Sequence, residues 1–438
     1  MVSFLLFIYC LCQSLQNILS EKSSGIISVV FLVTNYPTGT GVLRGKMFAE
    51  YLNKMKTLRD PLGRHISIKS ELLFTEKLEL QIPDRSYQNI DICIIVKHIV
   101  SKTIEWCRQR KAYIYYDVLD NMRMMDFYIN SNTRKYAEFA ADALYNHNCT
   151  YLTTHTTVEN CSDYVVDAIL TPNEEFRNRL QENNIKGAVL YHQHTNPGIM
   201  RHETCISDSV RTVGFLVGAN VNLPSKKIIT QIRRSLCLTG IERFLLLSQQ
   251  LRVNNKVKWM HRYYECGRRG SKKRACTVDT SFNTMSPSTM KRIKSETEKE
   301  FENNQIQFHV GKALDKVDLG IVWPAEYSNG SLHRPTTRLF YWMSHGVPCV
   351  FYPYEAYVEV SKKMGYVFPR NSSMHGKVPT AASISGLTEM VSALVNEVEA
   401  RLHFRNIGLQ ISAKYRTSDV ALHLAHILIA DAVERETI

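Results

Sequence analysis

The chain reads as an α/β protein of two domains, each organised on a parallel sheet. Three observations lead there. Its 438 residues exceed what a single core ordinarily holds. Continuous apolar and β-branched runs, such as Ile26–Thr34 (IISVVFLVT), have the pattern of strands buried on both faces. Segments of helical character separate those runs, and strands alternating with helices imply parallel sheets covered on both sides.

The first domain is expected over residues 25–208. A Gly-containing loop follows Ile26–Thr34 and leads into a helix near Val42–Lys56. Asp91–Ile99 (DICIIVKHI) and Ala112–Val118 (AYIYYDV) read as two further buried strands, and Arg123–Tyr145 as a helix. Asp167–Leu170 is a short strand, Thr171-Pro172-Asn173 turns into a helix, and Gly187–His194 is the last strand of this half. The polar stretch Thr195–Ser209, with Pro197 and Gly198, has a linker's composition. A second domain, 209–410, opens with the strand Thr212–Val217. Further strands are expected at Ile306–Val310, Asp318–Val322 and Val347–Phe351, and helices at Thr336–His345, Tyr354–Met364 and Leu387–Phe404. Residues 411–438 carry a final apolar helix, Leu422–Val433.

The composition is that of a folded protein, 44% hydrophobic and 22% charged, so disorder is not the leading account of any large part. A net charge of +13 favours anionic partners: phosphorylated ligands, acidic membranes touched peripherally, or nucleic acid. The densest basic run, Arg252–Arg274, reads as a solvated loop; no nucleic-acid recognition motif accompanies it, so a nucleic-acid partner is not expected. The 11 cysteines form no paired hooks for zinc. His192 and His194 alternate on one strand face, but with no third ligand no metal site is expected. Residues 1–24 hold an apolar run, Phe4–Cys12, of signal-peptide length but without a preceding positive residue. N-glycosylation sequons occur at Asn148, Asn160, Asn329 and Asn371. The secretory pathway and the cytoplasm both stay open. No nucleophile elbow, phosphate-binding Walker loop or zincin helix is present, which removes the common hydrolase, P-loop and metalloprotease classes.

The most informative stretch is Asp318–Tyr366. A buried strand ends at Trp323-Pro324, a polar loop follows, and Arg334-Pro335-Thr336-Thr337-Arg338 opens a helix. Proline suits the first turn, where its missing N–H costs nothing, and threonine suits the cap. A helix start is positive through its free N–H groups and dipole, and Arg334 and Arg338, four apart, add two cations on one face. The arrangement suits a diphosphate. Gly346 stops that helix, Val347–Val350 begins the next strand, and Glu355 and Glu359 on the following helix are placed to hold ribose hydroxyls. The first domain offers a second glycine loop, with Gly39 and Gly41 at a strand-to-helix crossing, where backbone approaches a ligand closely. His98 lies at one strand's carboxyl end, and Asp117 and Asp120 at the next, the edge where ligands collect in open parallel sheets. Each is a candidate general base or hydroxyl-holding group.

The string RPTTRLFYWMSHGVPCV, followed by YEAYVEV, resembles the donor-binding half of GT-B-fold glycosyltransferases, whose helix there often ends in a small residue, glycine and proline before a strand. The resemblance implies two Rossmann-like domains with parallel sheets facing a cleft. It implies a UDP- or GDP-linked sugar bound mainly by the second domain, and a C-terminal helix crossing back to the first. It implies transfer to an acceptor hydroxyl of a glycan, lipid or protein, without an obligatory metal. Arg334, Thr336, Thr337, Arg338 and Gly346 would hold the donor. Retaining members often carry two glutamates at the positions that are His333 and Tyr341 here. That departure keeps two other readings open: a nucleotide-sugar epimerase or NAD(P)-dependent oxidoreductase, and a GT-B-like binding protein without chemistry.

Overall fold

The computed structural model describes residues 25–33, 41–56, 58–74, 89–96, 101–118, 166–182, 186–193, 209–219, 226–253, 256–265, 317–324 and 336–435. They divide into two compact units, residues 1–191 with 417–438, and residues 192–416. Each unit is an α/β fold on a mainly parallel sheet, as expected from the alternation of apolar runs and helices.

In the first unit the sheet has the order β2-β3-β1-β4-β5-β6-β7 among the described residues. Its strands are β1 (Gly25–Val33), β2 (Leu58–Arg59), β3 (His65–Phe74), β4 (Ile92–Val96), β5 (Tyr113–Asp117), β6 (Ala168–Thr171) and β7 (Gly187–Val189). All neighbours are parallel except β2 with β3. β4, whose five residues are all buried, and β1, buried over Val29–Val33, form the apolar centre. The strand order reverses between β1 and β4, the type of point where open α/β sheets bind ligands at the strands' carboxyl ends. The helix expected from Val42 begins differently: Gly41–Lys46 is a π-helical turn, and α1 (Met47–Lys54) continues from it. Gly45 explains the close seating, because a Cβ there would lie 2.7 Å from Val33 Cγ1 and 2.8 Å from Leu72 Cδ1. Helices α2 (Ser101–Gln109) and α3 (Glu174–Glu182) complete the described wrapping, and Asn173 caps α3 by accepting from the Phe176 N–H at 2.7 Å.

The last helix, α9 (Thr417–Glu434), belongs to this first unit. Its Asp431 accepts from the buried Tyr115 hydroxyl and pairs with Lys186 at 3.1 Å, and Glu434 pairs with the same lysine at 2.7 Å. Burial first, then the Asp431 carboxylate, push the Tyr115 hydroxyl far above the usual tyrosine range, so it stays a proton donor in this contact.

The second unit's sheet runs β10-β9-β8-β11-β12 among the described residues. Its strands are β8 (Thr212–Ala219), β9 (Arg243–Val253), β10 (Lys256–Glu265), β11 (Leu319–Val322) and β12 (Cys349–Phe351). All are parallel except β10, which pairs antiparallel with β9. Part of the basic run read as a loop is therefore strand: Lys256–Glu265 is a ladder. Val257, Trp259 and Tyr263 supply the β-branched and aromatic residues that favour a ladder over a loop. The helices are α4 (Lys226–Cys237), α5 (Thr337–Ser344), α6 (Glu355–Met364), α7 (Ile384–Asn396) and α8 (Val398–Lys414). The single helix expected over Leu387–Phe404 is two. Glu397 leaves helical geometry, and its carboxylate accepts from the Ser373 N–H and hydroxyl at 3.2 and 2.6 Å. The buried Arg401 then donates to the carbonyls of Leu394 and Val395, closing the end of α7.

The helix expected at Arg123–Tyr145, the strand at Ile306–Val310, the linker as far as residue 208 and the N-terminal apolar run lie outside the described residues. Among those residues no helix is long and apolar enough to cross a membrane.

Candidate functional site

In the second unit the strand order reverses between β8 and β11, and the helices α5 and α6 both start at the sheet's carboxyl edge. What seats α5 is its buried Trp342. Its indole lies over two glycines of the sheet: a Cβ on Gly320 of β11 would come within 2.5 Å of the ring, and one on Gly214 of β8 within 2.8 Å. On its other side Phe340 stacks on Tyr415 at 4.2 Å and 11°, and Met343 packs 3.3 Å from where a Cβ on Gly408 of α8 would sit. The helix is fixed by its middle, so its first turn is held in place at the edge.

That first turn leaves several polar groups without a described partner. Thr336, at the cap position, adopts αR geometry (φ −66°, ψ −5°), and its carbonyl accepts from Phe340. Its side chain makes no cap. The Thr336 residue is 1% exposed, and its Oγ1 has no partner among the described residues. The N–H groups of Thr337, Arg338 and Leu339 are the helix's orphan donors and also lack a described acceptor. Arg338, half-buried, makes no ion pair among the described residues. Thr337 Oγ1 lies 3.3 Å from Nδ1 of the buried His192. The result is a donor-rich, net-positive cradle at a helix N-terminus, the environment that suits an anion.

Aromatic rings adjoin it. Trp323 follows β11 and meets Tyr352, which follows β12, edge-on at 5.7 Å and 83°. Tyr352 contacts Tyr354 at 5.2 Å, and the Tyr354 carbonyl caps α6, accepting from the N–H groups of Tyr357 and Val358. Glu355 is the first residue of α6 and Glu359 stands one turn on, both half-buried. Gly346 sits at the far end of α5, about 13 Å from Thr337 at about 1.5 Å per residue. There it takes a left-handed conformation (φ 64°) and ends the helix. Tyr341, at a position where the resemblance implies a glutamate, keeps a buried hydroxyl without a described partner; burial pushes its pKa well up.

The first unit's carboxyl edge is arranged differently. Asp117 ends β5 and Arg44 sits in the π-helical turn after β1, each 2% exposed. Arg44 Nε donates to one Asp117 oxygen at 2.8 Å and Nη2 to the other at 3.0 Å. The remaining guanidinium donors reach the carbonyls of Leu190 and Tyr191, both at 3.1 Å. Burial raises the Asp117 pKa, and the guanidinium pulls against it. With both oxygens engaged, Asp117 is placed as an anchor for the turn that begins at Gly41, not as an open base. Gly39, His98, Asp120, His333 and Arg334 lie outside the described residues. Among the described residues no group of three or more His, Cys, Asp or Glu side chains is gathered to hold a metal.

Sequence reasoning passes over Arg44, Trp342 and the contact of His192 with Thr337. The signal for Arg44 is a lone arginine inside a glycine-rich helix start; its partner is 73 residues away. Trp342 announces itself only through the glycines it covers.

No protein-family model matches the chain, and no curated protein is significantly similar to it. Solved structures resemble it weakly over nearly its whole length. The N-terminal domain of Candida albicans trehalose-6-phosphate phosphatase has 9% identity, 93% of this chain and 97% of that one covered, and a TM-score of 0.48. An E. coli structure described as trehalose-6-phosphate bound with UDP-2-fluoro glucose has 10% identity, 92% and 99% coverage, and a TM-score of 0.46. An O-GlcNAc transferase of Thermobaculum terrenum has 9% identity, 94% and 69% coverage, and a TM-score of 0.45.

Proposed function

We propose that the protein transfers a glycosyl group from a nucleoside-diphosphate sugar to an acceptor hydroxyl. One observation carries the reading: the start of α5 offers three orphan amides, the Arg338 guanidinium and the Thr336 hydroxyl at the carboxyl edge of a parallel sheet. A diphosphate fits that donor set in charge and in number of acceptor oxygens. When the bond between the sugar C1 and the diphosphate oxygen breaks, negative charge grows on the leaving group. Donors fixed in advance by the seating of Trp342 stabilise it without reorganising. Arg334 adds a second cation in this reading, and no metal is needed for the neutralisation. Glu355 and Glu359 hold the ribose hydroxyls. Transfer forms a bond from the acceptor oxygen to C1, and the acceptor's proton passes to His98 or Asp120. Gly39 and Gly41 are the candidates on the acceptor side, and Asp117 with Arg44 holds the turn that begins at Gly41.

The acceptor is a glycan, lipid or protein hydroxyl, and which nucleotide, UDP or GDP, carries the sugar is decided by binding. Calorimetric titration with UDP, GDP and NAD(P)H, in the wild type and in Arg338→Ala, is the test. Binding of one nucleoside diphosphate, lost in the variant, is expected. Binding of NAD(P)H alone would establish the oxidoreductase reading instead. Tyr341 in place of a carboxylate favours a second reading, a protein that binds the nucleotide sugar without turning it over. Release of free nucleoside diphosphate from a nucleotide-sugar panel separates the two.

A further inference from the structure

The first unit carries a pocket of about 620 Å³ that the proposed transfer does not use. Lys54 and Lys56 at the end of α1, Arg59 on β2 and His426 on α9 supply its charge. Met55, Leu58 and Leu422 supply an apolar floor. Among the described residues no carboxylate lines it. Lys54, Lys56 and Arg59 form no ion pair among the described residues; the Arg59 guanidinium donates to the Gly63 carbonyl and meets His65 Nε2 at 3.1 Å. Asp60 is engaged with Arg64 at 2.6 Å, and Asp431 and Glu434 with Lys186; Glu50 on α1 and the exposed Asp419 on α9 are the other acids of the elements that line it.

Its place in the fold is telling. Gly25, the first residue of β1, pairs with Ile66 of β3, and Leu58 of β2 pairs with the same Ile66. The pocket therefore lies at the amino-terminal ends of β1 and β3, opposite the edge that holds Arg44 and Asp117. The same edge exposes apolar side chains, Leu62 at 73%, Ile26 at 50% and Leu422 at 41%.

We propose that this edge is a docking surface for an anionic lipid bilayer, with lipid phosphates taken by Lys54, Lys56 and Arg59 and the acyl boundary met by Leu62 and Leu422. Clustered cations beside exposed apolar side chains match that surface in both charge and polarity.

The test is co-sedimentation of the full chain with vesicles of phosphatidylcholine plus phosphatidylserine, and with phosphatidylcholine alone. Apolar contact by itself binds both alike, so the difference between the two reads the basic pocket. Strong preference for the anionic vesicles, falling with added salt, is expected. Lys56→Ala should weaken it about fivefold, and Lys54→Glu/Lys56→Glu/Arg59→Glu should remove it. Melting temperature and nucleotide binding should stay unchanged. If the triple variant melts early, Lys56→Glu alone, an exposed position after α1, carries the measurement. Equal binding to both vesicles overturns the proposal, as does undiminished preference in the variants. Saturation by inorganic phosphate without vesicle binding assigns the pocket to a small anion, and tighter binding of an RNA oligonucleotide assigns it to nucleic acid; either outcome also overturns it.

Discussion

The two sheets present arginines at their carboxyl edges in opposite ways. In the first unit Arg44 is 2% exposed and gives its donors to Asp117, Leu190 and Tyr191. In the second, Arg338 is half-buried and makes no ion pair among the described residues, beside a helix start whose amides are equally open. The same residue type is a structural clamp in one place and, in the function proposed above, an anion receptor in the other. The difference lies in whether a described carboxylate is folded against it. An arginine that has satisfied its fork inside the protein holds backbone; one without a described carboxylate at a helix N-terminus is the candidate for a ligand.

That contrast can be broken at several points. The largest effect is expected for Arg44→Ala, which leaves the Asp117 carboxylate buried and unpaired. The first unfolding transition in urea should lose about 3–5 kcal/mol. A loss below about 1 kcal/mol would mean the pair is not the clamp described. Next is Gly320→Ala, whose new methyl meets the Trp342 ring. A destabilisation of about 1–3 kcal/mol is expected, together with weaker nucleotide binding because the start of α5 shifts. Unchanged affinity despite lost stability would uncouple the seat from the site. Arg338→Ala should leave the melting temperature within about 1 °C and weaken nucleoside-diphosphate binding by about 10- to 100-fold, the worth of a charge-assisted hydrogen bond. If stability fell with affinity intact, Arg338 would belong with Arg44.

The smallest effect concerns acid. Burial raises the Asp60 carboxyl, but the side-chain and backbone hydrogen bonds from Arg64 outweigh it and hold the group below the usual 3.8. A carboxyl lowered on folding contributes stability that is complete above the unfolded value and fades as pH falls through the folded one. The first unit should therefore soften below about pH 4, and Asp60→Asn should flatten that slope in a thermal melt followed against pH.

The elements most visible in the sequence are those whose burial is written locally. VVFLV of β1 and ICIIV of β4 are apolar on every residue because helices cover both sides of their strands, and α5 and α6 are punctuated by Gly346 and Gly365, both left-handed at their helix ends. β3 escapes such a reading: HISIKSELLF alternates, every second residue of its first part facing out, and such a strand resembles a polar segment when read for continuous runs. β10 reads as a loop because its lysines and arginines outweigh its aromatics. In the candidate site Thr336, Thr337 and Arg338 are visible, since helix-start chemistry is local. The burial of the Thr336 hydroxyl, and the engagement of Asp117, are not.

By itself the sequence determined the alternation that makes two α/β units, the positions of the helix stops, and a cationic helix start after β11. Those properties depend on residues within a few positions of one another, where backbone sterics and periodicity act. The tertiary structure alone decided which charges are free. Arg44 and Asp117 stand 73 residues apart, and Gly214, Gly320 and Trp342 come from three separate elements. Whether an ionisable group is a clamp or a receptor depends on desolvation and on partners brought in by the fold, and neither is a property of its neighbours in the chain.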